Sequence, residues 1–203
     1  MTTSVFRVRH GQTNSNITGF YMGWSDEDLD QTGYTQAHRL SSRLAGLSIG
    51  SIYTSPLRRA YTTAATLAEP HRLELKVLDD LTEIWLGDWQ GLHADEIKRM
   101  WPELWQQSRT DPSDLALPNG ENFRQVTKRA VRAFEMVVEA NHGKQTVIVT
   151  HEGIVKVLLA HVLGVSNGIY RRFEINNASL SVVRIVDNNF RLITLNDTAH
   201  FAG

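Results

Sequence analysis

"QTVIVTHEGIVKVLLAHVLG", residues 145–164, decides how the chain is to be read. Its opening, Gln145 to Thr150, is a short run rich in β-branched apolar residues, the mark of a strand buried on both faces. From Ile154 to Gly164 the chain is apolar on most sides and reads as a helix, which places that helix deep in the domain. Only His151, Glu152 and Gly153 separate the two. A buried strand passing straight into a buried helix is the unit from which parallel sheets are assembled.

The same order recurs toward the amino terminus. "SVFRVR" (4–9) is a first strand, and "TGYTQAHRLSSRLAGL" (32–47) a helix with Ala37, Leu40, Leu44 and Leu47 at helical spacing. "SIYTS" (51–55) is a short strand. "SPLRRAYTTAATLAE" (55–69) opens a helix with Ser55 as N-cap and Pro56 in the first helical position. "ELKVLDD" (74–80) is a further strand, and "ENFRQVTKRAVRAFEMVVEA" (121–140) puts Phe123, Val126, Ala130, Phe134 and Val137 on one helical face. "SLSVVRIV" and "FRLITL", joined by Asp187-Asn188-Asn189, form an antiparallel hairpin at the sheet edge. The longest irregular stretch, about 87–120, holds Gly87, Gly91, Pro102, Pro112, Pro118 and Gly120; a helix near 93–107 interrupts it, and the whole reads as an inserted lid over one end of the domain. The expected architecture is a single α/β domain over residues 1–203, a three-layer α/β/α sandwich around a mostly parallel mixed sheet.

Composition narrows the function. Lys+Arg (21) and Asp+Glu (22) nearly cancel, so neither nucleic acid nor an acidic membrane is an expected partner. The absence of cysteine excludes disulfides, thiolate catalysis and cysteine-ligated metals. The start, "MTTSVFRVRH", has no apolar leader, and no run reaches the length of a membrane span, so a soluble cytoplasmic protein is the expectation.

In open α/β sheets ligands bind beyond the carboxyl ends of the strands. Three strands here end in residues suited to an anion: Arg9-His10, then Ser55 leading to Arg58 and Arg59, then His151-Glu152-Gly153. Both arginines fall in a first helical turn, where the macrodipole disfavours cations by roughly 0.3–1 kcal/mol. A bound phosphate reverses that cost. Arg59, beside the inward stripe of Leu57, Ala60, Ala64 and Leu67, is the one placed to reach the site, and Arg58 reads as a solvated residue. Glu83 in "LTEIWLGDWQG" (81–91) sits among Ile84, Trp85, Leu86 and Trp89, whose bulk desolvates it and raises its pKa toward that of a proton donor.

These segments together resemble the histidine phosphatase superfamily, the phosphoglycerate-mutase-like enzymes. "RHGQTNSN" is similar to its "RHGET" signature with an Asn three residues on; "GWSDEDLDQTGYTQA", "SPLRRAYTTA", "LTEIWLGDWQG" and "VTHEGIV" follow in the family's order and spacing. "EIWLGDWQG" and "LNDTAH" are similar to segments of the short broad-specificity phosphatases. The resemblance implies a metal-independent phosphomonoesterase with His10 as nucleophile, forming a phosphohistidine that water hydrolyses. It places Arg9, Arg59 and His151 around the phosphoryl oxygens, with Asn16 donating to them and Glu83 as proton donor and later base. Gly23 falls where backbone approaches the substrate, and Glu152 and Gly153 where backbone amides do so. His10 must present an unprotonated nitrogen, its other ring N–H bonded to a backbone carbonyl. Two arginines and a histidine supply the charge that phosphoryl transfer requires, so no metal or cofactor is expected.

Some residues depart from the pattern. Gln12 stands where the family commonly has Glu, and Arg7 interrupts a strand that is usually apolar, which calls for a nearby acid. Leu86 stands where some phosphoserine-specific members have His. Trp85 and Leu86 are placed in the substrate pocket, whose apolar walls favour a small or partly hydrophobic phosphate ester. Trp101 and Trp105 are placed in packing, and His38, His71, His93, His142 and His161 on the surface or on helix faces. "GLSIG" (46–50) is no nucleophile elbow because it follows a helix and precedes a strand, and "HEGIV" lacks a zincin's second histidine at Val155. The rival readings are a mutase moving phosphate within a phosphoglycerate and a non-catalytic phospho-ligand module. The lid is too short for the first, and Glu83 is superfluous in the second. Oligomeric state, a homodimer included, is left open.

Overall fold

In the computed structural model, which describes residues 2–202, six strands form one sheet in the order β3-β2-β4-β1-β5-β6. The buried strand of the opening stretch is β4 (Gln145–Thr150), central between β1 (Thr2–Arg9) and β2 (Ile49–Thr54) and parallel to both. β3 (Leu75–Val77) extends the parallel part beyond β2. β5 (Leu180–Val186) and β6 (Asn189–Asp197) are the hairpin, and β5 runs antiparallel to β1, so the sheet is mixed. Asp187 and Asn188 turn with φ of 49° and 60°, the left-handed pair that matches a tight hairpin to the twist of its strands.

Alternate side chains of each strand serve opposite faces. On one face, Phe6, Val8, Val147 and Val149 pack against Leu40 and Leu44 of α2 (Gln31–Leu44) and Ala60, Ala64 and Leu67 of α3 (Arg58–Ala68). On the other, Val5, Ile148 and Val183 meet α6 (Phe123–Ala140) and α7 (Glu152–Leu163). The expected three layers are present. The α6 stripe from Phe123 to Val137 is buried as its spacing predicts, and α7 is buried from Gly153 through Ala160. Among the described residues no helix is long and apolar enough to cross a membrane.

Several boundaries differ from the reading. α2 ends at Leu44, so Leu47 lies beyond it, 36% exposed. α3 opens at Arg58 with Leu57 in the N-cap position; Ser55 lies before it, its N–H continuing the sheet to Val149 O (3.1 Å) and its hydroxyl meeting both His151 and Leu57 N (3.3 Å). The helix expected near 93–107 is two, α4 (Ala94–Met100) and α5 (Pro102–Thr110), broken at Trp101 because the residue before a proline avoids helical backbone. A short helix, α1 (Asn14–Thr18), follows the first strand. The 87–120 stretch backs the cleft described below, and among the described residues none between 87 and 120 lines it. Trp89 and Trp105 lie behind Tyr21, ring centroids 6.2 and 6.0 Å away, with Trp101 against Trp89 at 6.4 Å.

Candidate active site

Because β1, β2 and β4 are parallel, their carboxyl ends meet along one sheet edge, where α3 and α7 begin. That topology brings residues 9–10, 55–59 and 151–153 together. His10 and His151 face each other with ring centroids 5.2 Å apart, 4% and 0% exposed. Nδ1 of His10 lies 2.7 Å from Gly11 O. A carbonyl can only accept, so the proton sits on Nδ1 and Nε2 keeps its lone pair. His151 has Nε2 2.8 Å from the Ser55 hydroxyl, while its Nδ1 has no partner among the described residues. Burial, reinforced by the Arg59 and Arg9 charges, pushes both imidazoles well below the usual histidine range, so both are neutral at neutral pH. The cationic charge near them therefore rests on the arginines, and His151 contributes a hydrogen-bonding imidazole.

Arg59 is 3% exposed and donates to Ser25 O (2.9 Å) and Gly23 O (2.7 Å), so Gly23 serves the site through its carbonyl. Arg9 donates to Ile175 O (2.6 Å) and pairs with Glu152 at 3.0 Å. Glu152 also holds Lys156 at 2.5 Å; burial alone would raise its carboxyl, but Arg9 and Lys156 outweigh that and hold it below the ordinary value. Opposite stands Glu83, which accepts from Ile84 N (2.9 Å) and Gly153 N (3.2 Å). Burial pushes the Glu83 carboxyl up, and those two amides oppose the shift only in part. A Cβ on Gly153 would stand 2.4 Å from Glu83 Oε1. The glycine thus lets the carboxyl dock against the start of α7, and its amide serves Glu83.

These groups border a cleft of about 220 Å³. Arg9, Asn16, Gly23, Arg59, Glu83, Leu86, Glu152 and Gly153 all line it, with the two imidazoles buried beside them. Trp85 does not line it, contrary to expectation: its indole donates to Asn119 O (2.8 Å) and packs against Trp24 at 5.3 Å. Of the same segment, Glu83, Ile84 and Leu86 line the cleft instead. Arg58 is a surface residue paired with Asp26 at 3.4 Å, as read. Gln12 turns to Asp30 (2.9 Å), and among the described residues no acid pairs with Arg7.

Some site residues carried no recognisable signal. Asn177 donates to Asn16 Oδ1 (2.8 Å) and His10 O (3.2 Å), tying the loop before β5 to the signature loop. Tyr170 and Arg171 line the cleft from the segment after α7, and Glu27 lines it while bonded to the Ser15 hydroxyl. The sequence marks Ser55 as an anion-suited strand end and a helix cap but not as a partner of His151, and it leaves Glu27 unremarked within "GWSDEDLDQTGYTQA".

The model of the histidine phosphatase superfamily (branch 1) matches residues 5–198. The chain belongs to that superfamily. Among curated relatives, it is 33% identical over 194 residues to phosphoserine phosphatase 1 of Hydrogenobacter thermophilus, covering 95% of this chain and 92% of the relative. It is 29% identical over 206 residues to the metal-independent phosphoserine phosphatase of Arabidopsis thaliana, covering 98% and 84%. Among solved structures, Bacillus stearothermophilus YhfR superposes with a TM-score of 0.94 at 30% identity over 98% of both chains. As a member of this superfamily with such relatives, the protein is a phosphatase.

Proposed function

We propose that this phosphatase hydrolyses small phosphate monoesters without metal, through a phosphohistidine on His10. The observation that carries the reading is the His10 ring: its Nδ1–H is held by Gly11 O, and its free Nε2 sits within reach of the charges of Arg9 and Arg59. In the first step Nε2 attacks phosphorus and the P–O bond to the alcohol breaks. The protonated Glu83 carboxyl gives its proton to the departing oxygen. In the second, Glu83, now a carboxylate, takes a proton from water as the water oxygen attacks phosphorus; the P–N bond breaks and phosphate leaves. Arg9 and Arg59 neutralise the equatorial oxygens throughout, which is most of what such a transfer asks of a protein. If the Ser55 hydroxyl donates to Nε2 of His151, the proton of that ring lies on Nδ1 and is available to a phosphoryl oxygen. Asn16 holds its carbonyl oxygen toward Thr13 N and Asn177, which leaves its amide N–H for the phosphoryl group.

Beyond the phosphoryl group the cleft leaves room for a small leaving group. Ile84, Leu86, Phe20 and Met22 give it apolar walls, and Glu27 disfavours leaving groups with further negative charge. A small, weakly charged alcohol suits it best, in keeping with the broad-specificity subgroup and a cytoplasmic enzyme. A panel of phosphate esters assayed with a chelator tests the reading: wild type is expected to release phosphate, and His10→Ala to lose at least a thousandfold in kcat. Dependence on added metal, or full activity of His10→Ala, would refute the mechanism. Phosphate reappearing on another carbon of a phosphoglycerate would point instead to a mutase.

A further inference from the structure

The loop that carries Glu83 is gripped from behind by one side chain that the proposed chemistry does not use. Arg129, on the second turn of α6, is 13% exposed and spends all five guanidinium N–H groups inside the protein. Nη1 donates to Asp80 O (2.9 Å) and Thr82 O (2.5 Å), and Nη2 donates to Glu83 O (2.8 Å). Nε and Nη2 form a two-pronged pair with Glu121 at 2.7 and 2.8 Å. Glu121 then accepts from Trp85 N (2.8 Å), while its own N–H donates to Trp85 O (2.9 Å). Three carbonyls between residues 80 and 83 are thereby drawn to one rigid fork, and the Trp85 amide is tied to it through Glu121.

That arrangement fixes which way the intervening side chain faces. With the Glu83 carbonyl held by Arg129 on one side and by the Trp24 indole (2.6 Å), its carboxyl is presented to the amides of Ile84 and Gly153 at the cleft. We infer that Arg129, braced by Glu121, is a positioning residue that holds the Glu83 carboxyl against the leaving oxygen. This rests on Glu83 being the proton donor. The planar fork is essential to the argument, because a lysine ammonium offers the same charge from a single point and cannot hold three carbonyls and a carboxylate together.

The measurement is kcat/KM on two esters that differ in their need for a proton: p-nitrophenyl phosphate, whose phenolate leaves unaided, and propyl phosphate, whose alkoxide does not. Arg129→Lys is expected to lose at least tenfold more on the propyl ester than on the aryl ester, and Glu83→Gln to show the same bias. In the Glu83→Gln background, Arg129→Lys should then cost almost nothing further on the propyl ester. Equal losses on both esters, or an undiminished loss in the Glu83→Gln background, would make Arg129 a purely structural residue and overturn the inference. If Glu83→Gln itself shows no leaving-group bias, the proton-donor reading falls and this one with it, which separates the two failures. Glu121→Gln keeps an acceptor for Trp85 N and is the milder second variant should Arg129→Lys fold poorly; it is expected to show the same bias in smaller measure, and its absence in a folded Glu121→Gln protein counts against the inference.

Discussion

Arg7 is a side chain whose presence works against the fold. It is 0% exposed on the central strand, on the face it shares with Val5, and none of its three guanidinium nitrogens has a partner among the described residues. Burial alone lowers its pKa to about 9, a measure of how poorly the site accommodates the charge. An isolated cation buried without partners costs more than the packing of its methylenes returns. Arg7→Leu is therefore expected to stabilise the protein by about 1–4 kcal/mol, several degrees in melting temperature for a chain of this size. Thermal unfolding of the two proteins at pH 7 decides it, and a lower midpoint for Arg7→Leu would show that the guanidinium is satisfied in solution. The sequence marks this position as anomalous, but the acid it called for is absent among the described residues. Which residues stand opposite a strand position depends on the strand's register against β4 and β5, and one chain's pattern does not specify that register.

At the scale of elements, the site depends on how closely the start of α7 approaches the Glu83 loop. The approach is set by a missing side chain, Gly153, where a Cβ would also stand 2.9 Å from Ile84 Cδ1. Gly153→Ala should displace the carboxyl and lower kcat on an alkyl phosphate by tenfold or more. Because alanine favours a helix over glycine by up to about 1 kcal/mol, its melting temperature should not fall by more than a degree or two. Activity and unfolding measured on the same preparation test the pairing; full activity would mean that the loop yields without moving its carboxyl. The elements themselves were legible: β4, α6 and α7 announce themselves by apolar pattern. Their edges were not: Ser55 and Pro56 carry a good helix-start signature, yet α3 opens only at Arg58.

For the whole molecule, the two buried imidazoles couple stability to pH. Each has a folded pKa well below its unfolded value near 6.5, so the unfolded state binds protons that the folded state refuses. The sign follows: their contribution to stability is complete above the unfolded value and is lost as pH falls below it. Where both unfolded imidazoles are protonated and neither folded one is, the slope reaches about 2.7 kcal/mol per pH unit. Denaturant unfolding between pH 7.5 and 5 should show that loss, and phosphate at a hundred times its dissociation constant should add about 2.7 kcal/mol at a given pH. A flat profile, or one unchanged when both histidines are replaced by asparagine, would mean that neither ring is held neutral by the fold.

The chain by itself determined the layered α/β architecture and put forward His10, Arg9, Arg59, Glu83 and His151 as candidates, because periodic burial and short ordered motifs are local properties. Tertiary structure alone decided which neighbours those residues keep. Ser55 against His151, Asn177 against His10 and Arg129 behind Glu83 join positions from 46 to 167 residues apart. Such pairings arise from parallel strands ending at one edge and helices packed across the sheet, and no periodicity along the chain encodes them. The same holds for Trp85, sent away from the cleft, and for Arg7, left without an acid: side-chain direction and partnership are settled by packing.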